Sequence, residues 1–328
     1  MASKRNIANL LTQERIVIFV TVLAFVGFSL FLPGFFTAKN ILDLTRNIAI
    51  LGIVGVGLSI VVIGRGIDLS AVAVMAVCAA WAIKLSADGI PELPAVLLAL
   101  LLAIAIGAIN GFLVAFAEIP AIFVTLATAL VVFGFGQFVL IQALVIYIPD
   151  SATLIPALGQ SRPFGIPIQL ILFVVVGVLG QLFLTFMRWG RFTYALGDNA
   201  ETARLTGIKM RPLIIGQYIL VAIIAYVAGL ALAGANPVFS LRTSGSSMLF
   251  DAILVVVLGG VSLSGGTGSV VSVVAGTLLL GTFLNGMTIM NLPQPAQELV
   301  KGFVLLSAIV VDAVLHPRDE QTSRQSDI

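Results

Sequence analysis

Of its 328 residues, 59% are apolar and only 10% are charged, for a net charge of +2, where soluble domains carry about 25% charged residues. So few charges cannot cover a water-facing surface, and a near-neutral chain without a basic cluster excludes a nucleic-acid partner. One histidine, His316, and one cysteine, Cys78, supply no metal cluster, no Cys–His dyad and no disulfide, so no catalytic residue and no metal site are expected.

A helix needs about 20 apolar residues to cross the hydrocarbon of a bilayer. The first such run, 16–34, follows Lys4, Arg5 and Arg15 and ends in Pro33-Gly34 with no small-x-small cleavage site. It therefore reads as an uncleaved span. Further spans are predicted at 44–63, 71–86, 95–117, 120–143, 168–187, 213–234, 250–262, 270–290 and 297–315, which makes ten. The third and eighth are short, so a broken or re-entrant helix is expected at one of them. The chain is thus divided into an N-terminus at 1–15, one transmembrane domain at 16–317 and a tail at 318–328. An external loop at 144–167 and a basic loop at 188–212 interrupt the domain. Ten Lys and Arg residues (Lys4, Arg5, Arg15, Arg188, Arg191, Arg204, Lys209, Arg211, Arg318 and Arg324) fall on one side. Five (Lys39, Arg46, Lys84, Arg162 and Arg242) fall on the other. That asymmetry places both termini in the cytoplasm.

Asn110-Gly111 is followed by Pro120-Ala121 at the spacing with which Asn285-Gly286 is followed by Pro295-Ala296. This offset superimposes spans three to five on eight to ten and implies an inverted repeat. A second similarity, Gly66-Ile-Asp-Leu-Ser70 with Gly260-Val-Ser-Leu-Ser264, lies out of that register. It reads as coincidence or as local convergence on a glycine-rich bend.

In the basic loop, Asp198 followed by Glu201 fits a capping box, with Asp198 as N-cap of a short helix over 199–206 that Gly207 closes. Arg65 and Asp68 flank a glycine at the end of a span, where an unpaired charge is costly. Two readings stand: an Arg–Asp pair at a bend of the translocation pathway, or a helix-end pair in which Asp68 caps the next helix. Leu258 to Gly268 holds five glycines, and such backbone is tolerated at membrane depth where protein or a water cavity covers it. Candidate pathway residues are therefore Arg65, Asp68, Asn110, Gly259, Gly260 and Asn285. Asp251 is expected to cap the eighth span, and Lys301 and Asp312 to pair or snorkel near the last one.

Several blocks together resemble one family. Glu201-Thr-Ala203-Arg-Leu-Thr-Gly207 is similar to the E-x-A-x-x-x-G signature of ABC importer permeases. The wider segment from Gly190 to Ile208 resembles the ribose, xylose and galactose permeases. Gly66-Ile-Asp68-Leu-Ser70, the block from Asn110 to Leu126, and the block from Asp251 to Gly268 follow in that family's order. The likeness departs from the family at Ala71-Val72-Ala73, at Thr202 and in the loop at 144–167. It implies an all-α integral membrane fold of the type II ABC importer kind and a permease subunit that moves a pentose, hexose or polyol inward. It implies seating of Arg191, Asp198, Asn199, Glu201, Ala203, Arg204 and Gly207 on an ABC ATPase. A periplasmic solute-binding protein and a second permease copy or paralogue would complete the assembly in the bacterial inner membrane. No phosphate-binding loop occurs, since Gly265-Gly266-Thr267-Gly268-Ser269 lacks the lysine, so ATP is expected to bind the partner subunit and no cofactor this one. The rival reading is an ion-coupled secondary transporter, for which Asp68, Glu118, Asp251, Glu298 and Asp312 are the available carboxylates.

Overall fold

The computed structural model describes residues 13–242 and 247–315. Lys4, Arg5, His316, Arg318 and Arg324 lie outside the described residues, with most of the N-terminus and the whole tail, as does the side chain of Asp312. In chain order the helices are α1 (Gln13–Phe31), α2 (Ala38–Ile63), α3 (Ala71–Ala87), α4 (Glu92–Phe116), α5 (Ala121–Phe135), α6 (Leu154–Gln160) and α7 (Ile168–Phe186). They continue as α8 (Arg188–Asp198), α9 (Ala200–Leu205), α10 (Met210–Ala233), α11 (Met248–Gly259), α12 (Val270–Ile289) and α13 (Gln294–Leu315). Seven of the described helices are long and apolar enough to cross a membrane, and α3 and α11 are shorter apolar helices. The chain is a mostly helical, multi-pass membrane protein.

Burial sorts the helices. From Ile48 to Ile63 every residue of α2 is buried, as expected of a helix that is apolar all round. Around it pack α7, α10, α11 and α12 in one core. A second core surrounds α3, whose alanines at 71, 73, 76, 79, 80 and 82 are buried. Such small side chains let helices approach closely where lipid offers no hydrophobic drive for association. α10 belongs to both cores and joins them. By contrast α1, α4, α5 and α7 present Phe19, Leu101, Phe123 and Leu179 outward, which water would not tolerate and lipid does.

Two helices, α2 and α11, end in the same way. At α2, Arg65 N–H donates to the Val62 carbonyl and Gly66 N–H to the Val61 carbonyl, with Arg65 at φ 69°. At α11, Gly260 (φ 101°) and Val261 donate to Val257 and Val256 in the same pattern. These are paired closures of a helix C-terminus through a left-handed residue. The similar segments at 66–70 and 260–264 both lie at such an end, but Arg65 is the left-handed residue of one and Gly260 that of the other, so the ends match one residue out of the register of the sequence similarity.

The expected fifth span is α5 prolonged by one widened π-helical turn, Gly136–Ile141. The expected external loop is ordered. Its strand Val145–Tyr147 pairs antiparallel with Val238–Ser240. The N-terminus of α6 points at Glu92, whose carboxylate accepts from the backbone N–H groups of Thr153, Leu154 and Ile155 at 2.7–2.8 Å. A carboxylate there satisfies the orphan donors of the first turn and complements the helix dipole.

Candidate coupling site

The segment 188–212 holds two helices where the sequence predicts one. α8 buries Gly190, Thr193, Leu196 and Gly197 along one stripe, and that stripe is built from backbone contact. A Cβ on Gly197 would lie 1.8 Å from the Ile63 carbonyl oxygen and 2.4 Å from Gly266 N. The Gly266 N–H itself donates to the Ile63 carbonyl at 2.9 Å. The end of α8, the end of α2 and the loop after α11 thus meet at one point. Tyr194 adds a hydrogen bond from its hydroxyl to the Gly268 carbonyl at 2.8 Å. Burial raises the Tyr194 phenol above its ordinary range, so the hydroxyl remains a donor at physiological pH. Gln217 of α10 donates to Thr193 Oγ1 at 3.0 Å, and Trp189 packs over Gly216.

α9 is the projecting element. Its N-cap is Asn199, extended at φ −152°, whose side chain accepts from Thr202 N–H at 2.9 Å. Asp198 is not the cap, because α8 runs through it and Asn199 is the first residue with non-helical backbone. Glu201 therefore sits at the second helical position and the capping box does not form. Gly207, at φ 84°, closes α9 as expected: its N–H donates to Arg204 and that of Ile208 to Ala203. Ala203 is buried, while Arg191, Asp198, Asn199, Glu201, Arg204 and Gly207 are exposed. Leu205, the last residue of the helix, is 83% exposed. A cleft of about 440 Å³ beside it is lined by Trp189, Phe192, Ile208 and Pro212. The result is a short helix with mixed charges and one bare leucine, fixed at its root and open at its face.

The candidate pathway residues separate. Arg65 is exposed at this same end, with Gly265 packed against it. Asp68 is buried and makes no ion pair among the described residues, which removes the Arg–Asp pairing. It accepts from Ser70 N–H at 2.8 Å and Ser70 Oγ at 2.6 Å and so caps the start of α3. Asn110 donates to Ser70 Oγ at 2.8 Å, Thr125 Oγ1 accepts from Leu69 N–H at 3.0 Å, and Tyr218 donates to the Ile67 carbonyl at 3.3 Å. These bonds tie the α2–α3 turn to α4, α5 and α10 and cover backbone that lipid would leave unsatisfied. Gly259 lets α11 cross α12, since a Cβ would lie 2.1 Å from the Ser272 carbonyl oxygen. Asn285 lies at the far end of the bundle, where it and Asn40 exchange two hydrogen bonds of 2.9 Å. There Lys301 pairs with Asp251 at 2.7 Å, a contact that sequence spacing did not reveal, since the two residues sit on α13 and α11.

Comparison with known proteins adds an independent finding. The family described as branched-chain amino acid transport system / permease component matches residues 40–309. The chain is similar to the ribose import permease protein of Escherichia coli K12, 33% identical over 308 residues that cover 92% of this chain and 94% of the relative. It is 33% identical over 309 residues to the L-arabinose transport system permease protein of the same strain, covering 89% of this chain and 88% of the relative. The fructose import permease protein of Rhizobium meliloti is 31% identical over 301 residues, covering 89% and 83%. No solved structure matches.

Proposed function

The chain belongs to the branched-chain amino acid transport system / permease component family, within which relatives at 31–33% identity are sugar permeases, and from that footing we propose that it is the membrane-spanning subunit of an ATP-driven importer. The solute is a sugar or sugar-like molecule, a pentose, hexose or polyol, moved inward across the bacterial inner membrane. The observation that carries this reading is the α8–α9 pair. Its face is open and mixed in charge, and its root is fixed to the ends of α2 and α11 through Gly197, Ile63 and Gly266. A partner that grips α9 moves the inner ends of α2 and α11 with it. That partner is an ABC ATPase, which binds the ATP. A periplasmic binding protein delivers solute to the opposite face, and a second permease copy or a paralogue completes the pathway.

In this reading the chain crosses the membrane ten times with both termini in the cytoplasm, and its halves form an inverted repeat. Two equivalent positions support the repeat. Asn110 and Asn285 each hydrogen-bond to a neighbouring helix or turn, and the following glycines are each in close contact. A Cβ would lie 2.5 Å from Ile215 Cα at Gly111 and 2.5 Å from the Phe28 ring at Gly286. The rival ion-coupled reading draws on the buried Asp68. The capping bonds from Ser70 give that carboxylate a structural task instead.

Co-purification with the ATPase, using the native chain and the variants Glu201→Ala and Gly207→Arg, tests the proposal. Retention by the native chain, and loss by variants that keep the native elution profile, is the expected result. A native chain that holds no ATPase would place the secondary-transporter reading first.

A further inference from the structure

At the end of the bundle opposite α8 and α9, the first turns of α11 and α13, the last turns of α12 and the outer part of α2 enclose a cavity of about 450 Å³. That size falls within the range of about 300–1,000 Å³ usual for small-molecule sites. Its lining is unlike the rest of the molecule. Asn47, Asn285, Gln297, Glu298, Asp251 and Lys301 converge on it, in a chain with only 10% charged residues. The geometry points to this cavity as a binding site for a neutral, polyhydroxylated solute, with the Asp251–Lys301 pair as its fixed polar wall.

The chemistry of the lining selects that class. Lys301 is anchored by Asp251 at 2.7 Å and by Ser247 Oγ at 3.2 Å, and both members of the pair are largely withdrawn from solvent, at 12% and 15% side-chain exposure. A ligand that left the pair intact avoids stranding a buried charge. A neutral solute does so, and its hydroxyl groups donate to the carboxylate oxygens. Gln297 spends its amide nitrogen on the Leu292 carbonyl at 2.9 Å, which leaves its side-chain oxygen to accept from a hydroxyl. Two carboxylates against one amine disfavour anions such as sugar phosphates. Leu44, Ile48 and Leu284 form an apolar wall suited to the C–H face of a sugar ring.

Asp251 and Lys301 line a neighbouring cavity of about 460 Å³ as well, so the two cavities share the ion pair as a wall. α2 and α11 continue inward to a smaller space of about 160 Å³ lined by Leu58, Ile253, Val257 and Asp68. That space shares no lining residue with the polar cavity, and the packed residues of α2 between them close the site on its inner side. This inference rests on the importer reading and adds the place and the groups that hold the solute.

The buried Cys78 is the chain's single cysteine, so cysteines introduced at exposed lining positions report alone. Asn47→Cys and Thr288→Cys replace exposed residues of the lining, and Asp150→Cys on the external loop serves as the control. Each is labelled with a membrane-impermeant maleimide in the purified permease–ATPase complex, with D-ribose, L-arabinose, D-fructose or L-leucine present. Expected is a several-fold slower labelling of Asn47→Cys and Thr288→Cys with at least one of the sugars, no slowing with leucine and none at Asp150→Cys. Equal rates with every solute, or slowing by leucine alone, in a complex that retains its ATPase overturns the site and leaves the importer reading standing. A preparation in which the native chain holds no ATPase overturns the importer reading and this inference with it.

Discussion

Where α8 reaches the bundle, backbone meets backbone: Gly197, Ile63 and Gly266 touch with no side chain between them. At the opposite end α6 also meets the end of α10 through backbone, at Gly159 and Gly234, but where α2, α11, α12 and α13 come together side chains do the joining, through the Asn40–Asn285 and Asp251–Lys301 pairs. Backbone contact has no rotamers to relax into, so it passes displacement on. Side-chain contact leaves cavities and alternative partners, so it adapts to a ligand. The contrast teaches that these two regions suit different work: under the proposed function, the rigid contact suits transmitting force and the adaptable one suits recognition.

The largest expected effect breaks the rigid end. Gly197→Ala places a methyl group 1.8 Å from a carbonyl oxygen, and because both sides are backbone the cost falls at the upper end for overpacking, about 3 kcal/mol. A lowered thermal midpoint of the purified permease would report it, and an unchanged midpoint would mean that α8 separates from α2 without penalty. At the other end, Glu92→Ala removes the acceptor of three backbone N–H groups and costs about 2 kcal/mol. Faster proteolysis between residues 150 and 162, with ATPase binding intact, would show that the damage stays at that end. The smallest stability effect is at Leu205→Ala. A side chain 83% exposed contributes less than about 0.5 kcal/mol to the fold, yet its loss weakens ATPase retention if α9 is the docking helix. Equal retention would move the docking face elsewhere on the 188–212 segment.

Much of this contrast was legible in the residues, because membrane spans are long apolar runs and their limits follow from composition. The helix predicted at 199–206 exists as Ala200–Leu205, closed at Gly207. What stayed hidden was α8. Its buried stripe is written in Gly190, Thr193 and Gly197 as well as Leu196, and glycine and threonine carry little hydropathy signal. The expected cap falls one residue early for the same reason, since without α8 either Asp198 or Asn199 fits the turn. Asp68 and Lys301 stood out as charges in apolar surroundings. Their partners, Ser70 and Asp251, followed from tertiary packing: one is two residues away, the other on a separate helix.

The hydrogen bond from Gly266 to Ile63 has one more consequence. Its amide proton is sealed between two helix ends and can exchange with deuterium only when they part. The protection of that single site therefore measures the free energy of opening at the α8 end as a whole, and binding of a partner to α9 would be read there as a change in exchange rate at a residue the partner never touches.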